Sequence, residues 1–460
     1  KFIEKSAEHG IDIFRVFDSL NWLKAMEPSI NAIRKKTQSI AEVSMCYTGD
    51  ILDTNRSKYD LKYYIKLAKD IENAGAHILA IKDMAGLLKP YAAYELVSAL
   101  KESVKIPIHL HTHDTSSLQP ATYLKAIAAG VDVIDVALGG LSGLTSQPNF
   151  NSIVEMMKFN KRENIIEVNK LNQFSNYWED VREYYYPFES GLKASTAEVF
   201  YHEMPGGQYS NLIQQAAGLG IGEKFEEIKD TYRDVNLLFG DIVKVTPSSK
   251  VVGDMTLFMI SNGLKAKDVL EKGDTLSFPE SVQGFFRGDL GQPPQGFPKQ
   301  LQKLVLKDKK PYTDRPNAHL KPVDFEKEFT EFKLKFKESD LGRPLDITDF
   351  LSYKMYPKVF EDTFKKWTEF GFVSRIPTKN FLYGMDLNEE TIIHLAPGKS
   401  IIVKLLSIGH PHENGMRTVF FKVNGQTRNI EVQDRALNIK KEENIKVEGG
   451  NPKHVGAPLQ

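Results

Sequence analysis

The chain has 460 residues, with 60 basic and 60 acidic side chains, enough for roughly two to four domains around large cores. Because the charges balance, composition argues against a general polyanion binder, and we expect no nucleic-acid partner. A single cysteine, Cys46, excludes a disulfide within the chain and fits a reducing cytosol, and no apolar run reaches the ~20 residues that span a bilayer.

The first 160 residues alternate apolar, β-branched runs with stretches of helical period. Near-continuous apolar strands that alternate with helices indicate parallel βαβ units. No dinucleotide-binding glycine pattern follows the first strand, which favours a (β/α)8 TIM-type barrel over a Rossmann sheet. The predicted strands are 11–17, 40–47, 77–83, 106–113 and 131–138, and the helices that follow them are 21–36, 58–75, 91–104, 119–130 and 150–160.

A barrel of this class closes with eight strands, and this region supplies five. An open arc of five strands would leave two unpaired edges, which is an aggregation hazard. The chain also does not begin with Met. We therefore expect residues 1–160 to be the C-terminal five βα units of a barrel whose first strands lie upstream.

The rest of the chain divides into three regions that differ in predicted secondary structure. Residues 161–367 are predicted to be helical and rich in loops, including the glycine- and proline-rich stretches at 203–211 and 288–298. Residues 368–440 are predicted to form short strands, with a hairpin turn at "NGQ" (424–426). Residues 441–460 are polar, with glycine and proline, and are typical of a linker.

Three histidines lie on one face of the strand over 106–113, because side chains alternate with period 2. His111 and His113 come at the C-terminal end, where barrels gather their chemistry, and imidazoles at this spacing can share a metal ion. His109 lies one step deeper. Lys82, near the end of the preceding strand, lies at the same end of the barrel, and a buried lysine that loses its proton can add carbon dioxide to become a carbamate, an oxygen ligand. These residues leave a fourth ligand unidentified.

Each of these signals also has a plainer structural interpretation. A histidine near a strand end is more often a hydrogen-bonded core residue than a ligand, and a lone lysine more often forms a salt bridge. The stretch "MPGGQ" (204–208) is typical of a turn, and "TPSSK" (246–250) is typical of a helix N-terminus. Spacing alone leaves these alternatives open.

Several segments, taken in order, are similar to the carboxyltransferase region of the pyruvate carboxylase family. Two more segments, at 352–362 and 381–390, extend the resemblance into that family's allosteric, tetramer-forming domain, and "HVGAP" (454–458) resembles the start of its biotin carrier domain. The segments in the carboxyltransferase region are "FRVFDSLN" (14–21), "KDMAGLLKP" (82–90), "HLHTHDTS" (109–116), "LSGLTSQP" (141–148), "EMPGGQYSNL" (203–212), "FGDIVKVTPSSKVVGDM" (239–255) and "GDLGQPPQGFP" (288–298).

The resemblance implies transfer of a carboxyl group from carboxybiotin to pyruvate, giving oxaloacetate in an anaplerotic and gluconeogenic reaction that depends overall on ATP and bicarbonate. It implies that residues 161–367 complete an active-site funnel, that 368–440 form the allosteric and tetramerisation domain, and that 441–460 lead to a biotin carrier domain. The implied cofactors are Mn or Zn, covalent biotin on that carrier, and ATP with Mg in a biotin carboxylase domain outside this chain. The implied assembly is a cytoplasmic homotetramer, in which carboxybiotin comes from the same or a neighbouring subunit.

The resemblance also assigns roles to five positions. Lys82, as a carbamate, joins His111 and His113 as metal ligands, while the family's aspartate ligand lies upstream of this chain. Thr246 shuttles a proton between pyruvate and biotin. Lys250 closes the same motif and lines the biotin pocket.

Two loops depart from the family pattern, "TSSLQP" (115–120) and "LGGLSG" (138–143). Both are predicted at the active end of the barrel, so they bear on the shape of the substrate loops.

Two other functions remain open at this point. One is an oxaloacetate decarboxylase or transcarboxylase subunit with the same barrel, and the other is a catalytically silent assembly module.

Overall fold

The computed structural model describes residues 1–162, 165–189, 191–341 and 343–437, without the side chains of residues 340 and 341. The chain divides into a barrel unit, Lys1–Glu331, and a C-terminal unit that begins at Phe332. The domain boundaries predicted at residues 160 and 367 stay predictions, and the predicted linker at 441–460 lies outside the described residues.

The barrel unit contains a parallel sheet of consecutive neighbours, in the order β1-β2-β3-β4-β5. Each strand pairs with the next one along the chain, as in a (β/α)8 barrel and unlike a doubly wound sheet, where the order reverses. The TIM-type fold class is therefore confirmed, and a strand lies within each predicted range, although the fifth is only two residues long. The strands are β1 (Ile13–Val16), β2 (Ile40–Cys46), β3 (Ile78–Asp83), β4 (Ile108–Thr112) and β5 (Val133–Ile134).

Helices follow each of these strands. Asp60, the N-cap residue of α3 (Leu61–Asn73), accepts a hydrogen bond from the backbone N–H of Tyr63 and so caps the helix. The apolar face of this helix, with Leu67 and Ile71 buried, packs into the barrel core. The helices of this part are α1 (Phe2–Glu8), α2 (Leu23–Lys36), α3 (Leu61–Asn73), α4 (Pro90–Ser103), α5 (Gln119–Ala128) and α6 (Phe150–Met156).

A helical region completes the barrel unit and has its own buried cluster, which includes Tyr232, Met255 and Phe285. Leu20, just after β1, belongs to the same cluster. The helical region therefore packs at the C-terminal end of β1. Its helices are α7 (Val168–Glu183), α8 (Val199–His202), α9 (Gly206–Gly218), α10 (Phe225–Leu238), α11 (Ser248–Ser261), α12 (Ala266–Lys272), α13 (Glu280–Arg287) and α14 (Lys299–Leu306), and α15 (Phe325–Lys335) begins at its end.

The C-terminal unit combines an aromatic helical cluster with an antiparallel sheet in the order β6-β7-β8-β9. Asn424 and Gly425, both with positive φ, form the predicted two-residue hairpin turn. The elements are α16 (Glu338–Leu341), α17 (Ile347–Met355), α18 (Pro357–Phe370), α19 (Thr378–Tyr383), β6 (Glu390–Ala396), β7 (Lys399–Pro411), β8 (Met416–Val423) and β9 (Gln426–Gln433). In the described ranges, none of the helices combines the length and apolar character needed to cross a bilayer.

Candidate active site

The three residues proposed as metal ligands lie together at the C-terminal ends of β3 and β4. The parallel register pairs Lys82 directly with His111. The ring of His111 faces that of His113, with 3.2 Å between their Nε2 atoms and the rings nearly perpendicular. The sequence therefore identified a real cluster of side chains, and its position at this end of the sheet follows from the parallel strand direction.

The hydrogen bonds of both histidines determine which ring nitrogen carries the proton. His111 Nδ1 lies 2.7 Å from a carboxylate oxygen of Asp135, and His113 Nδ1 lies 2.6 Å from the backbone carbonyl of Thr145. Because these oxygens accept hydrogen bonds, a ring at either position that binds a metal carries its proton on Nδ1 and has a lone pair on Nε2. Two converging lone pairs repel one another and suit a shared cation, and ligating histidines usually donate their other N–H to an oxygen. The histidine pair therefore fits a metal ion.

Burial lowers the pKa of His113 to about 4, so this ring is neutral at neutral pH, as a ligand must be. Burial also lowers the pKa of Lys82, which favours the neutral amine that carbamate formation needs. Lys82 Nζ lies 4.8 Å from the centre of the Phe17 ring. Among the described residues, no group of three His, Cys, Asp or Glu side chains is placed to hold a metal, and Lys82 is the third member of the predicted ligand set.

A charged cluster lies deeper in the barrel than these three residues. Of its members, only His109 was singled out from the sequence. Buried His109 hydrogen bonds to Glu42 through Nδ1 at 2.8 Å and to Asp135 through Nε2 at 2.9 Å. Arg15 forms ion pairs with both carboxylates. The deep histidine is thus a hydrogen-bonded core residue, the plainer interpretation of its position. The available signal was a single charged residue in each of β1 and β2, Arg15 and Glu42, and a carboxylate, Asp135, directly after β5.

Contacts within the cluster shift the pKa values of its members. Although burial opposes it, hydrogen bonds from His109, His111 and Arg15 hold the pKa of Asp135 well below its usual range. The Asp135 carboxylate therefore stays ionised and accepts the hydrogen bond that orients His111. Burial likewise opposes ionisation of His109, yet the hydrogen bonds that its ring donates to Asp135 and Glu42 raise its pKa to about 9.

Thr246 and Lys250 lie on a different segment, which packs on the loops after β1 and β2. Lys58 and Tyr59, in the loop after β2, both hydrogen bond to the carbonyl of Asp241, at 2.9 and 3.0 Å. Thr246 is exposed, and within the described residues no hydrogen bond joins it to the three candidate ligands. Lys250 is exposed and pairs with Asp254 at 2.6 Å.

The two turn-like motifs have partly structural roles. Helix α11 begins within "TPSSK", as the plainer interpretation predicts, although Pro247 at the N-cap offers no side-chain cap. Glu203, which starts "EMPGGQ", is buried between Arg56 and Lys244. Although burial opposes it, Lys244 and then Arg56 lower the pKa of Glu203 to about 2. This motif therefore ties the helical region to the barrel loops.

The parallel fold, with polar side chains converging at the C-terminal strand ends, is that of a TIM-barrel enzyme domain. Comparison with family models agrees with this class. Residues 10–177 match a model described as "HMGL-like", and residues 199–404 match one described as "Conserved carboxylase domain".

The chain is 52% identical to pyruvate carboxylase of Bacillus subtilis over 459 residues, and 49% identical to that of Staphylococcus aureus over 460. Each match covers 100% of this chain and 40% of the relative, so the chain spans about two-fifths of these proteins. The carboxyl transferase domain of Rhizobium etli pyruvate carboxylase, solved with pyruvate and biocytin, superposes with a TM-score of 0.91 at 48% identity, covering 94% of this chain and 72% of that one. The chain belongs to the pyruvate carboxylase family, and its match falls in the carboxyl transferase region.

Proposed function

We propose that this chain is the carboxyltransferase part of a pyruvate carboxylase, which moves a carboxyl group from carboxybiotin to pyruvate and forms oxaloacetate. The observation that carries the proposal is the pair of Nε2 lone pairs of His111 and His113 beside half-buried Lys82, at the active end of the barrel. The Rhizobium etli domain was solved with pyruvate and biocytin, and this chain shares its fold over 94% of its own length.

Lys82, His111 and His113 would hold a divalent metal, Mn or Zn, because both accept imidazole and oxygen ligands. Loss of a proton from the Lys82 amine and addition of carbon dioxide form its carbamate, which turns a cation into an anionic oxygen ligand. The bound metal supplies Lewis-acid polarisation of a substrate carbonyl. Asp135 and the carbonyl of Thr145 keep the two rings in the ligating tautomer.

Thr246 would carry the proton that the reaction must move. The N–C bond of carboxybiotin breaks, a C–C bond forms at the methyl carbon of pyruvate, and the displaced methyl proton passes through the Thr246 hydroxyl to the biotin nitrogen. General acid–base help of this kind contributes about 10²–10⁴-fold. The exposed position of Thr246 at the start of α11 leaves its hydroxyl open to a ligand.

The remaining assignments extend the proposal beyond the described site. Lys250 would line the biotin pocket, breaking its surface pair with Asp254. Biotin would be covalent on a carrier domain that the linker at 441–460 leads to, and a biotin carboxylase domain would use ATP and Mg. Residues 1–160 would contribute the last five units of the barrel, 161–367 the active-site funnel, and 368–440 an allosteric domain of a cytoplasmic homotetramer.

The test is an assay of the full-length protein that contains this chain. Pyruvate, bicarbonate and ATP are supplied, and oxaloacetate is followed through malate dehydrogenase as loss of NADH, with and without avidin. ATP-dependent product that avidin blocks supports the proposal. Consumption of oxaloacetate without its formation would instead indicate a decarboxylase with the same barrel, and no turnover in either direction would favour an assembly module.

Lys82→Arg and Lys82→Ala are both expected to lower carboxyl transfer more than about 100-fold, since losing a ligand costs more than losing an outer partner. Arginine keeps the charge but stays protonated and so forms no carbamate. Lys66→Arg, at an exposed position on α3, is the matched control and keeps full activity. Full carboxyl transfer by the Lys82→Arg variant would contradict the carbamate role.

A further inference from the structure

His202, at the end of α8, is a buried histidine with only 2% of its surface exposed. Its Nδ1 accepts a hydrogen bond from the backbone N–H of Met204 at 2.9 Å. Burial lowers the pKa of His202 to about 4, so the ring is neutral at neutral pH. The proton of the neutral ring therefore lies on Nε2, and this N–H is a donor.

The Nε2 atom of His202 has no hydrogen-bond partner within the described part of the chain. The second buried side-chain atom in this condition is the Ser44 hydroxyl, which lies in the barrel interior. A buried donor without an acceptor is costly, and buried polar groups in native proteins are nearly always paired with protein or with ordered water. The donor of His202 therefore indicates an acceptor that the chain itself does not supply.

A small cavity lies against His202. Its volume of about 20 Å³ exceeds the roughly 10–15 Å³ that a single water needs. Thr115 and Ser195 line it, and both hydroxyls donate to backbone carbonyls, of Ala85 and Asp114, which leaves oxygen lone pairs available. A water there can accept from His202 and donate to these two oxygens, which meets the two to four polar partners that buried waters have.

The same cavity borders the backbone that holds His113. Thr145 lines the cavity, and its carbonyl accepts the Nδ1–H of His113 at 2.6 Å. The backbone N–H of Thr196 also donates to the carbonyl of Thr115 at 2.9 Å, two residues beyond His113. Three segments around the histidine, from the loops after β4 and β5 and from the residues that precede α8, therefore meet at this cavity.

We propose that the cavity binds one ordered water through His202 Nε2–H, and that His202 is thereby a positioning residue for the His113 imidazole. The water links the segments that carry Thr115, Thr145 and Ser195, and so fixes the carbonyl that sets the orientation of His113. The inference rests on the proposed metal site and assigns to it a supporting residue that contacts neither metal nor substrate.

The experiment measures Zn²⁺ affinity of the full-length protein by competition with a chelator, for the wild type and three variants. His202→Phe removes the donor and is expected to lower affinity about tenfold, while His202→Gln, whose amide N–H can replace Nε2–H, stays within about threefold. Val199→Ala alters an apolar wall of the same cavity without touching the donor, and its affinity is expected to stay at the wild-type level. Thermal unfolding of each variant reports the separate effect on stability.

A crystal structure of the wild type that resolves waters gives the second readout, with a water expected within hydrogen-bond distance of His202 Nε2. A dry cavity overturns the inference. Wild-type Zn²⁺ affinity in His202→Phe, or an equal loss in Val199→Ala, overturns it as well. Absence of Zn²⁺ binding by the wild type would overturn the metal site of the proposed function together with this inference, so the two failures are distinguishable.

Discussion

Asp135 contacts three members of the site and links the candidate ligand His111 to the deeper charged cluster. Its carboxylate accepts hydrogen bonds from His111, His109 and Arg15. One oxygen orients a candidate ligand, and the carboxylate also neutralises buried positive charge beneath it. A single side chain thus couples the tautomer of His111 to the electrostatics of the barrel interior.

Asp135→Asn is expected to lower Zn²⁺ or Mn²⁺ affinity about 10–100-fold, the usual cost of losing the partner of a ligating histidine. The amide can still accept a hydrogen bond, but it cannot stabilise the positive charges of the cluster. Chelator competition measures the effect. Asp132→Asn is the control, because Asp132 bonds to Lys101 and to the backbone of Ile108; an equal loss there would contradict the assignment.

Glu203 makes the free energy of unfolding depend on pH in the acid range. Its pKa is lowered from 4.5 to about 2 in the folded protein, so it contributes stability above about pH 4.5 that is lost as the pH falls through about 2. The shift corresponds to roughly 3 kcal/mol. We therefore expect Glu203→Gln to destabilise the protein by about that amount at pH 7, and the difference from wild type to disappear near pH 2.

Urea unfolding of wild type and variant at several pH values measures this difference. Glu198→Gln serves as the control, because the Glu198 side chain is 55% exposed and its ion pair with Lys229 is screened by solvent. A difference between wild type and Glu203→Gln that persists unchanged at pH 2 would mean that packing, and not the charge of Glu203, supports the fold.

At the scale of elements, the turn after β3 fixes the end of β4. Gly86 has φ +71°, and a Cβ there would lie 2.4 Å from the carbonyl oxygen of His113 and 2.7 Å from Thr115 Oγ1. The backbone of one loop thus approaches the strand end that carries a candidate ligand as closely as only glycine allows.

Gly86→Ala is expected to destabilise the fold by more than about 2 kcal/mol, combining left-handed strain with this clash, and to weaken metal binding. Gly130→Ala shares the positive φ, at +98°, but its nearest neighbouring atom lies 3.9 Å away. It is expected to cost about 1 kcal/mol and to leave metal affinity unchanged. Urea unfolding and chelator competition check both variants, and equal behaviour would refute the clash argument.

At the scale of the whole molecule, the candidate ligands all lie in the barrel unit, and the C-terminal unit has an aromatic core of its own. Phe360, 5% exposed, contacts the rings of Phe336 and Phe364 at centroid distances of 5.1 and 6.2 Å. Its removal therefore tests whether the two units depend on separate cores.

Phe360→Ala is expected to destabilise the C-terminal unit by about 3–5 kcal/mol, the usual cost of a large cavity, while metal content stays within about twofold. Calorimetry and metal analysis measure the two effects. Phe370→Ala, with 59% of the side chain exposed, is the matched control and should change neither. Loss of bound metal in Phe360→Ala would show that the barrel site depends on the second unit.

Sequence patterns alone were enough to predict the parallel βα fold and the proximity of Lys82, His111 and His113. Both follow from local rules: period 2 places the histidines on one face, and parallel strands bring their C-terminal ends to one side. The hairpin at Asn424 was equally local. The roles of Thr246 and Lys250 came from resemblance, and they stay predictions.

The hydrogen-bond partners of those residues could not be predicted from sequence and became visible in the folded chain. The register that sets Arg15 beside Glu42, and the pairing of β4 with β5 that brings Asp135 to His111, depend on contacts between residues far apart in the chain. The tautomers of the histidines follow from those partners, as does the burial of His202 against its cavity. Periodicity can place a side chain on a face, but which atoms it meets there depends on packing across strands and loops, because a hydrogen bond requires positions accurate to a few tenths of an ångström.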